Sequence, residues 1–341
     1  MRVAASGWIG GIRMALKMTE PPYLRTTERT GGREWTMALI LLFPTVFSGV
    51  YYGLRPVLLV AVAIAAANVC ELLACLILRR RPTLQDGSAT VTGALIGLLM
   101  SPLSPYWLPI LAAAFAIWVV KIPFGGHGHE LFHPAAAGIA VITQCFSGYL
   151  FTYPAPNLTQ PLPLGDISSV VAQTSPAALL SAGTAPSYTI PAWLLGQFPG
   201  PLGATGTLLL LACAIGLFLR RVTSPLVTLS YLVTCAIYAL AFSRISGDWL
   251  TLLIGELCSG YLLFSGIFLL PASVIAPRHW LGRIMYGVGG GLLTMLLRSF
   301  GRFEEGACFA VLLMNAVAPM IDRFCWRMSY HVTVKRKGGR P

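Results

Sequence analysis

The feature that most constrains this chain is a succession of ten apolar stretches. They fall at roughly residues 37–54, 56–78, 90–103, 106–120, 134–152, 202–219, 224–242, 249–270, 279–297 and 306–321. A helix of about 20 mostly apolar residues crosses a bilayer, where the backbone must satisfy its own hydrogen bonds. A 341-residue chain with this many such stretches places most of its mass in lipid. Only 11% of its residues are charged, against about a quarter in a soluble protein. The expected fold is an all-α integral membrane protein of about ten transmembrane helices, grouped as two five-helix halves with short broken helices. The third and fifth stretches are interrupted by Gly or Pro, a pattern that points to a binding site inside a bundle.

Charge placement orients the bundle. With the N-terminus inside, 20 of the 24 Lys and Arg fall on the inner side, leaving Arg55, Arg244, Arg298 and Arg302 outside. The positive-inside bias favours that orientation over its inverse, so both termini are expected to be cytoplasmic, in the cell membrane. The net charge of +12 then belongs to cytoplasmic edges and not to a nucleic-acid surface. The expected organisation is a cytoplasmic segment at 1–35, a first half at 36–152, an extracytoplasmic loop at 153–201, a second half at 202–322 and a basic cytoplasmic tail at 323–341. The loop carries one charge, Asp166, among many Ser, Thr and Pro. Connections of that length are usually functional or unstructured.

Several polar residues stand out against the hydrocarbon. The stretch "FGGHGHELFHPAAAG" (124–138) holds His127, His129, Glu130 and His133. Its glycines favour a bend, and Pro134 disfavours helix at His133 while suiting the first turn of the fifth span. A metal site and a role in proton exchange remain open beside that bend. Glu71 and Glu256 fall inside apolar stretches, where a carboxylate faces a cavity or a partner. Glu71 is close enough to Arg79 to approach the interface. Asp86 opens "DGSA" and suits a helix N-cap; Asp86 and Glu256 are also candidates for a polar pocket. The run "YGVGGGLL" (286–293) sits in a membrane helix and reads as close packing by small residues. The eight cysteines form no CxxC pair and read as small buried hydrophobes.

Four motifs in order are "DGSATVTGALIGLLMSP" (86–102), "FGGHGHELFHPAAAG", "LLGQFPGPLGATG" (194–206) and "GRFEEGACFAVLLMNAVAPMID" (301–322). Together, from about residue 20 to 325, they resemble the D-type membrane component of the Rnf electron-transport complex (RnfD) and its relative in the sodium-pumping NADH:quinone oxidoreductase (NqrB). The resemblance implies a ten-helix component of a multisubunit redox pump, acting with other Rnf-type membrane and flavoprotein subunits. It implies flavin: in the family a threonine of an S-G-A-T-P stretch in the long outer loop carries FMN through a phosphoester bond made by a flavin transferase. The matching position here is Thr174, in "VVAQTSPAALLSAG" (170–183), with Val171, Ala172 and Gln173 where the family has Ser, Gly and Ala. The resemblance leaves room for a second, non-covalent flavin. Thr174 as a helix N-cap is the plain structural alternative, and Thr184 in "SAGTAP" is a second candidate anchor. Ala272 and Ala204 stand where the family carries acids. Two other functions stay open: a flavin-free scaffold that kept the bundle, and a secondary transporter.

Overall fold

The computed structural model describes residues 30–79, 84–154, 171–184, 186–242, 249–301 and 303–338. Among them the chain is predominantly helical, and each apolar stretch read from the sequence forms a helix or a bent helix pair. Four helices are long and apolar enough to cross a membrane: α1 (Thr30–Tyr52), α2 (Leu54–Ile77), α12 (Trp280–Phe300) and the apolar part of α13 (Ala307–Gly338). A fifth candidate is a bent pair, α10 (Trp249–Cys258) and α11 (Leu262–Phe264), the latter continued by a π-type turn to Leu269. The two arms meet at 61°. Shorter apolar helices complete the bundle: α3 (Ser88–Leu98), α4 (Trp107–Phe115, continued to Lys121), α5 (Pro134–Leu150), α8 (Thr207–Leu219) and α9 (Pro225–Ala241). The fold is that of an all-α integral membrane protein. The outermost basic residues of the sidedness argument, in 1–29 and 339–341, lie outside the described residues, as do Arg244 and Arg302.

Lipid tails give apolar helices no hydrophobic reason to associate, so close approach of backbones holds them together. Gly93 and Gly97 on α3 lie one turn apart, and a Cβ on either would come within 2.7 Å of the α2 backbone at Ile64 or Val60. Gly287 and Gly291 bring α12 equally close to the carbonyls of Val227 and Tyr231 on α9, as the small-residue reading of "YGVGGGLL" expects. All eight cysteines are free.

The short helices need outside partners for their end groups. The terminal carbonyls of α3 are met by the segment before α8: Gly203 N–H donates to Leu98 O (2.6 Å) and Leu202 N–H to Met100 O (3.1 Å). Tyr261, at the bend of the α10–α11 pair, donates its hydroxyl to Leu99 O (2.7 Å). The end of α3 and the bend of α10–α11 therefore meet in the middle of the molecule. Arg55, expected to serve as a loop charge, is buried; it donates to Pro102 O and Ser104 O and lies over the Tyr106 ring.

The loop after α5 returns through a two-stranded pair, β1 (Tyr153–Pro154) and β2 (Ala172–Gln173), with Tyr153 opposite Gln173. Two short helices follow, α6 (Pro176–Ser181) and α7 (Ile190–Leu195).

Candidate functional site

Three polar regions interrupt the hydrocarbon. The first is the loop end of β2. Thr174 is exposed there. It does not cap α6: Ser175 does, accepting from Ala178 N–H at 3.0 Å. The serine has the extended backbone and the reach of its hydroxyl to the third residue on, the usual N-cap geometry. Ser175 also donates to Glu304 Oε2 at 2.5 Å, which joins this loop to the linker between α12 and α13. Thr184 bonds back to Leu179 O, closing the end of α6.

The second region surrounds the bend of the α10–α11 pair. Arg298, in the last turn of α12 and only 4% exposed, reaches the end of α10. Its Nη1 donates to Glu256 O at 3.1 Å and its Nη2 to Ser259 Oγ; Glu256 Oε2 stands 3.6 Å from Nη1. A cation thus meets the negative end of one half-helix. At the positive end of the other, Glu305 accepts from the Tyr261 backbone N–H. Each charge suits the half-helix dipole it faces. Gly260 turns the bend at φ 61°, and a Cβ there would collide with the Glu305 carboxylate. Glu305 is 4% exposed; burial pushes its carboxyl up to about 7, only partly offset by Arg298. Burial also raises Glu304, against the Ser175 hydrogen bond. Glu256 lines a cavity of about 100 Å³ with Arg298, Tyr238 and Trp249. A larger cavity of about 500 Å³ lies on the other side of the linker, walled by Leu297, Phe303, Phe309 and Leu312 with Gln144 and Glu305.

The third region answers the histidine motif. Gly125, Gly126 and Gly128 all take positive φ, so the stretch is a bend. His129 is exposed and His133 buried, which separates the two imidazoles. His127 sits between Glu34 (3.7 Å) and Glu130 (3.8 Å). The Glu130 carboxylate beside it raises its pKa, against burial. His133 precedes Pro134 at the start of α5, and burial lowers it to about 4. In the amide orientation that satisfies its neighbours, Asn315 accepts from His133 N–H (2.9 Å) and donates to Val311 O and the Tyr286 hydroxyl. Glu34, His127, Glu130 and His133 border a cavity of about 50 Å³ shared with Ser88 and Thr92, room for a few waters. Beside it, Lys121 Nζ lies 3.0 Å from Glu71 Oε1 and 2.8 Å from Ser88 Oγ, all buried. Glu71 therefore pairs with Lys121 inside the bundle and does not reach toward Arg79.

The structure corrects the reading of Asp86. It is exposed in a 3₁₀ turn, Leu84–Asp86, and the residue capping α3 is Gly87, whose φ is 73°. The turn is held by Trp35, whose indole donates to Gln85 O. Among the described cavities, Glu256 lines the one of about 100 Å³ and Asp86 lines none. Sequence reasoning missed Arg298, Glu304 and Glu305. Arg298 counts as an outer loop charge by position, yet α12 runs through it to Phe300. The signal was the pair of acids that follows within "RSFGRFEEG".

Comparison with known proteins adds the lineage. Residues 17–331 match the model of the NQR2, RnfD, RnfE family. The chain is 30% identical over 325 residues to the D component of the Na(+)-translocating ferredoxin:NAD(+) oxidoreductase complex of Acetobacterium woodii, covering 94% of this chain and 97% of that one. It is 32% identical over 318 residues to the D component of the ion-translocating oxidoreductase complex of Stutzerimonas stutzeri (85% and 89% covered). It is 27% identical over 313 residues to the D component of the proton-translocating ferredoxin:NAD(+) oxidoreductase complex of Clostridium ljungdahlii (90% and 93% covered).

Proposed function

The chain belongs to the NQR2, RnfD, RnfE family, and from that premise we propose that it is the D-type membrane component of an ion-translocating ferredoxin:NAD(+) oxidoreductase complex. It carries FMN on Thr174 at the extracytoplasmic face of the cell membrane, with both termini cytoplasmic. The single observation that carries the flavin reading is the placement of Thr174. Its side chain is exposed, so a flavin transferase can reach the hydroxyl. Ala172, at the position of the family's glycine, has no left-handed backbone, since positive φ outside glycine occurs only at Arg79 and Arg221 among the described residues. The lost glycine is therefore not needed for this local conformation. Bound flavin supplies one- and two-electron transfer, and the protein supplies position and electrostatics. The other components of the complex supply the electron donor, the acceptor and the coupled ion movement.

Denaturing gels of protein co-expressed with a flavin transferase test the reading. A fluorescent band at the mass of this chain, lost in Thr174→Ala, is expected. No band in the wild type, together with a visible spectrum free of flavin absorption, would instead select a flavin-free scaffold.

A further inference from the structure

We propose that the small polar cavity beside the glycine bend before α5 is a proton-binding site, in which water bridges His127 to Glu34 and Glu130. The inference is independent of the flavin reading. Glu34 reaches the cavity from α1, Ser88 from α3, His127, Glu130 and His133 from the bend, and Thr223 from the α8–α9 loop. Two separations carry the argument. His127 Nε2 stands 3.7 Å from Glu34 Oε1, and Nδ1 stands 3.8 Å from Glu130 Oε1. Both exceed hydrogen-bond length, although each ring nitrogen has a carboxylate of its own, and a polar contact of that width suits a bridging water. The cavity supplies further partners. His127 Nε2, His133 Nδ1 and Thr223 Oγ1 are buried atoms without hydrogen-bond partners, and all three residues line it. Such atoms are costly unless met, and a buried water takes about two to four of them. At about 50 Å³ the space is far below that of an organic-ligand site, about 300 Å³ or more. Among the described residues no three His, Cys, Asp or Glu side chains gather as metal ligands.

The charges around the cavity favour a cation, and the imidazole makes that cation a proton. With a proton on both nitrogens, His127 is a positive charge between two carboxylates. Without it, Glu34 and Glu130 face a neutral ring. Glu130 raises the His127 pKa, burial opposes it, Glu34 adds to the rise and Lys121 lowers it. Neither α3, the α8–α9 loop nor the 272–275 segment brings a charged side chain to the cavity. His133, lowered to about 4 by burial, is neutral at ordinary pH and acts as a hydrogen-bonding partner. The side chains of His127, Glu34 and Glu130 are 14%, 16% and 9% exposed, so protons reach them from solvent. Uptake is a single transfer: hydronium gives its proton to the free ring nitrogen, forming an N–H bond, and leaves as water.

The test uses the full-length protein in detergent, isotope-labelled at its histidine rings, with the ring NMR signals followed against pH. One signal, absent from His127→Gln, is expected to titrate above the ordinary histidine value of about 6.5. Glu130→Gln should lower its midpoint by about one pH unit, and Glu34→Gln should lower it by less. Ala272→Leu fills the cavity without touching a titratable group and should lower the midpoint too, because the charged ring loses its water. A wild-type midpoint in the ordinary range, or one that neither carboxylate variant moves, would overturn the proposal. An unchanged midpoint in Ala272→Leu would overturn the bridging water. A midpoint lowered by sodium but not by an equal concentration of choline would assign the site to a metal cation and overturn the proton reading. Where a variant does not fold, the wild-type midpoint and its response to sodium decide.

Discussion

Lys121 and Arg298 are both buried in this bundle, and their surroundings differ. Lys121 is met by Glu71 and Ser88 from two different helices, in a compact pair packed between regular elements. Arg298 is held at a broken helix beside a linker, faces two carboxylates, Glu256 and Glu305, and borders a cavity. Around it, Arg298 Nε, Glu256 Oε2 and Glu305 Oε1 lack hydrogen-bond partners. The first arrangement uses charge to fix helices. The second gathers its charges around a helix break and a cavity. Charge inside a membrane bundle is therefore not enough to mark function.

The comparison can be broken most directly at Lys121. Lys121→Met removes the buried cation that faces Glu71 and should cost about 3–5 kcal/mol, read as a loss of monodisperse protein or a lowered unfolding temperature in detergent. Adding Glu71→Leu should restore most of it, because the pair is structural. A double variant as unstable as the single one would contradict that role. Arg298→Gln should cost less, about 2–3 kcal/mol, since the adjoining cavities let water and protons reach the uncovered carboxylates. Equal costs at the two positions would erase the distinction.

Protonation sharpens the same contrast. Glu305 has a folded pKa raised to about 7 from 4.5, so the folded state binds its proton more tightly. Its stabilising contribution is complete below about pH 4.5 and is lost as pH rises through about 7, with a slope of at most about 1.4 kcal/mol per pH unit. Thermal unfolding between about pH 5 and 8 should show that decline, and Glu305→Gln should flatten it. An unchanged slope in the variant would remove Glu305 as its source. The smallest effect is expected at the loop. Ser175→Ala removes a helix cap and the bond to Glu304, about 1 kcal/mol, and should speed proteolysis near residue 175 without altering the bundle's unfolding.

Much of the fold was legible because lipid imposes it: ten apolar stretches could become little other than helices, and Pro134 and the glycines marked their breaks and close contacts. The site was less legible. Thr174 was found through a motif, but its neighbour Ser175 took the cap, since only the serine's backbone and hydroxyl meet the first N–H groups of α6. Asp86 looked like a cap and is not one, because Gly87 adopts a left-handed backbone that an aspartate accepts less readily. Arg298 lies 42 residues after Glu256, and Glu305 follows it across the linker; nothing local in the sequence announces that they meet at the helix bend. The meeting arises from the 61° break and the return of α12 beside α9.

The central claim is that flavin is bonded to one particular hydroxyl of this chain. Peptide mass spectrometry of protein matured with a flavin transferase tests it most directly. The account predicts an FMN adduct on the peptide containing Thr174, with fragment ions that place it on that residue. An unmodified Thr174 peptide, or an adduct located on Thr184, would contradict it.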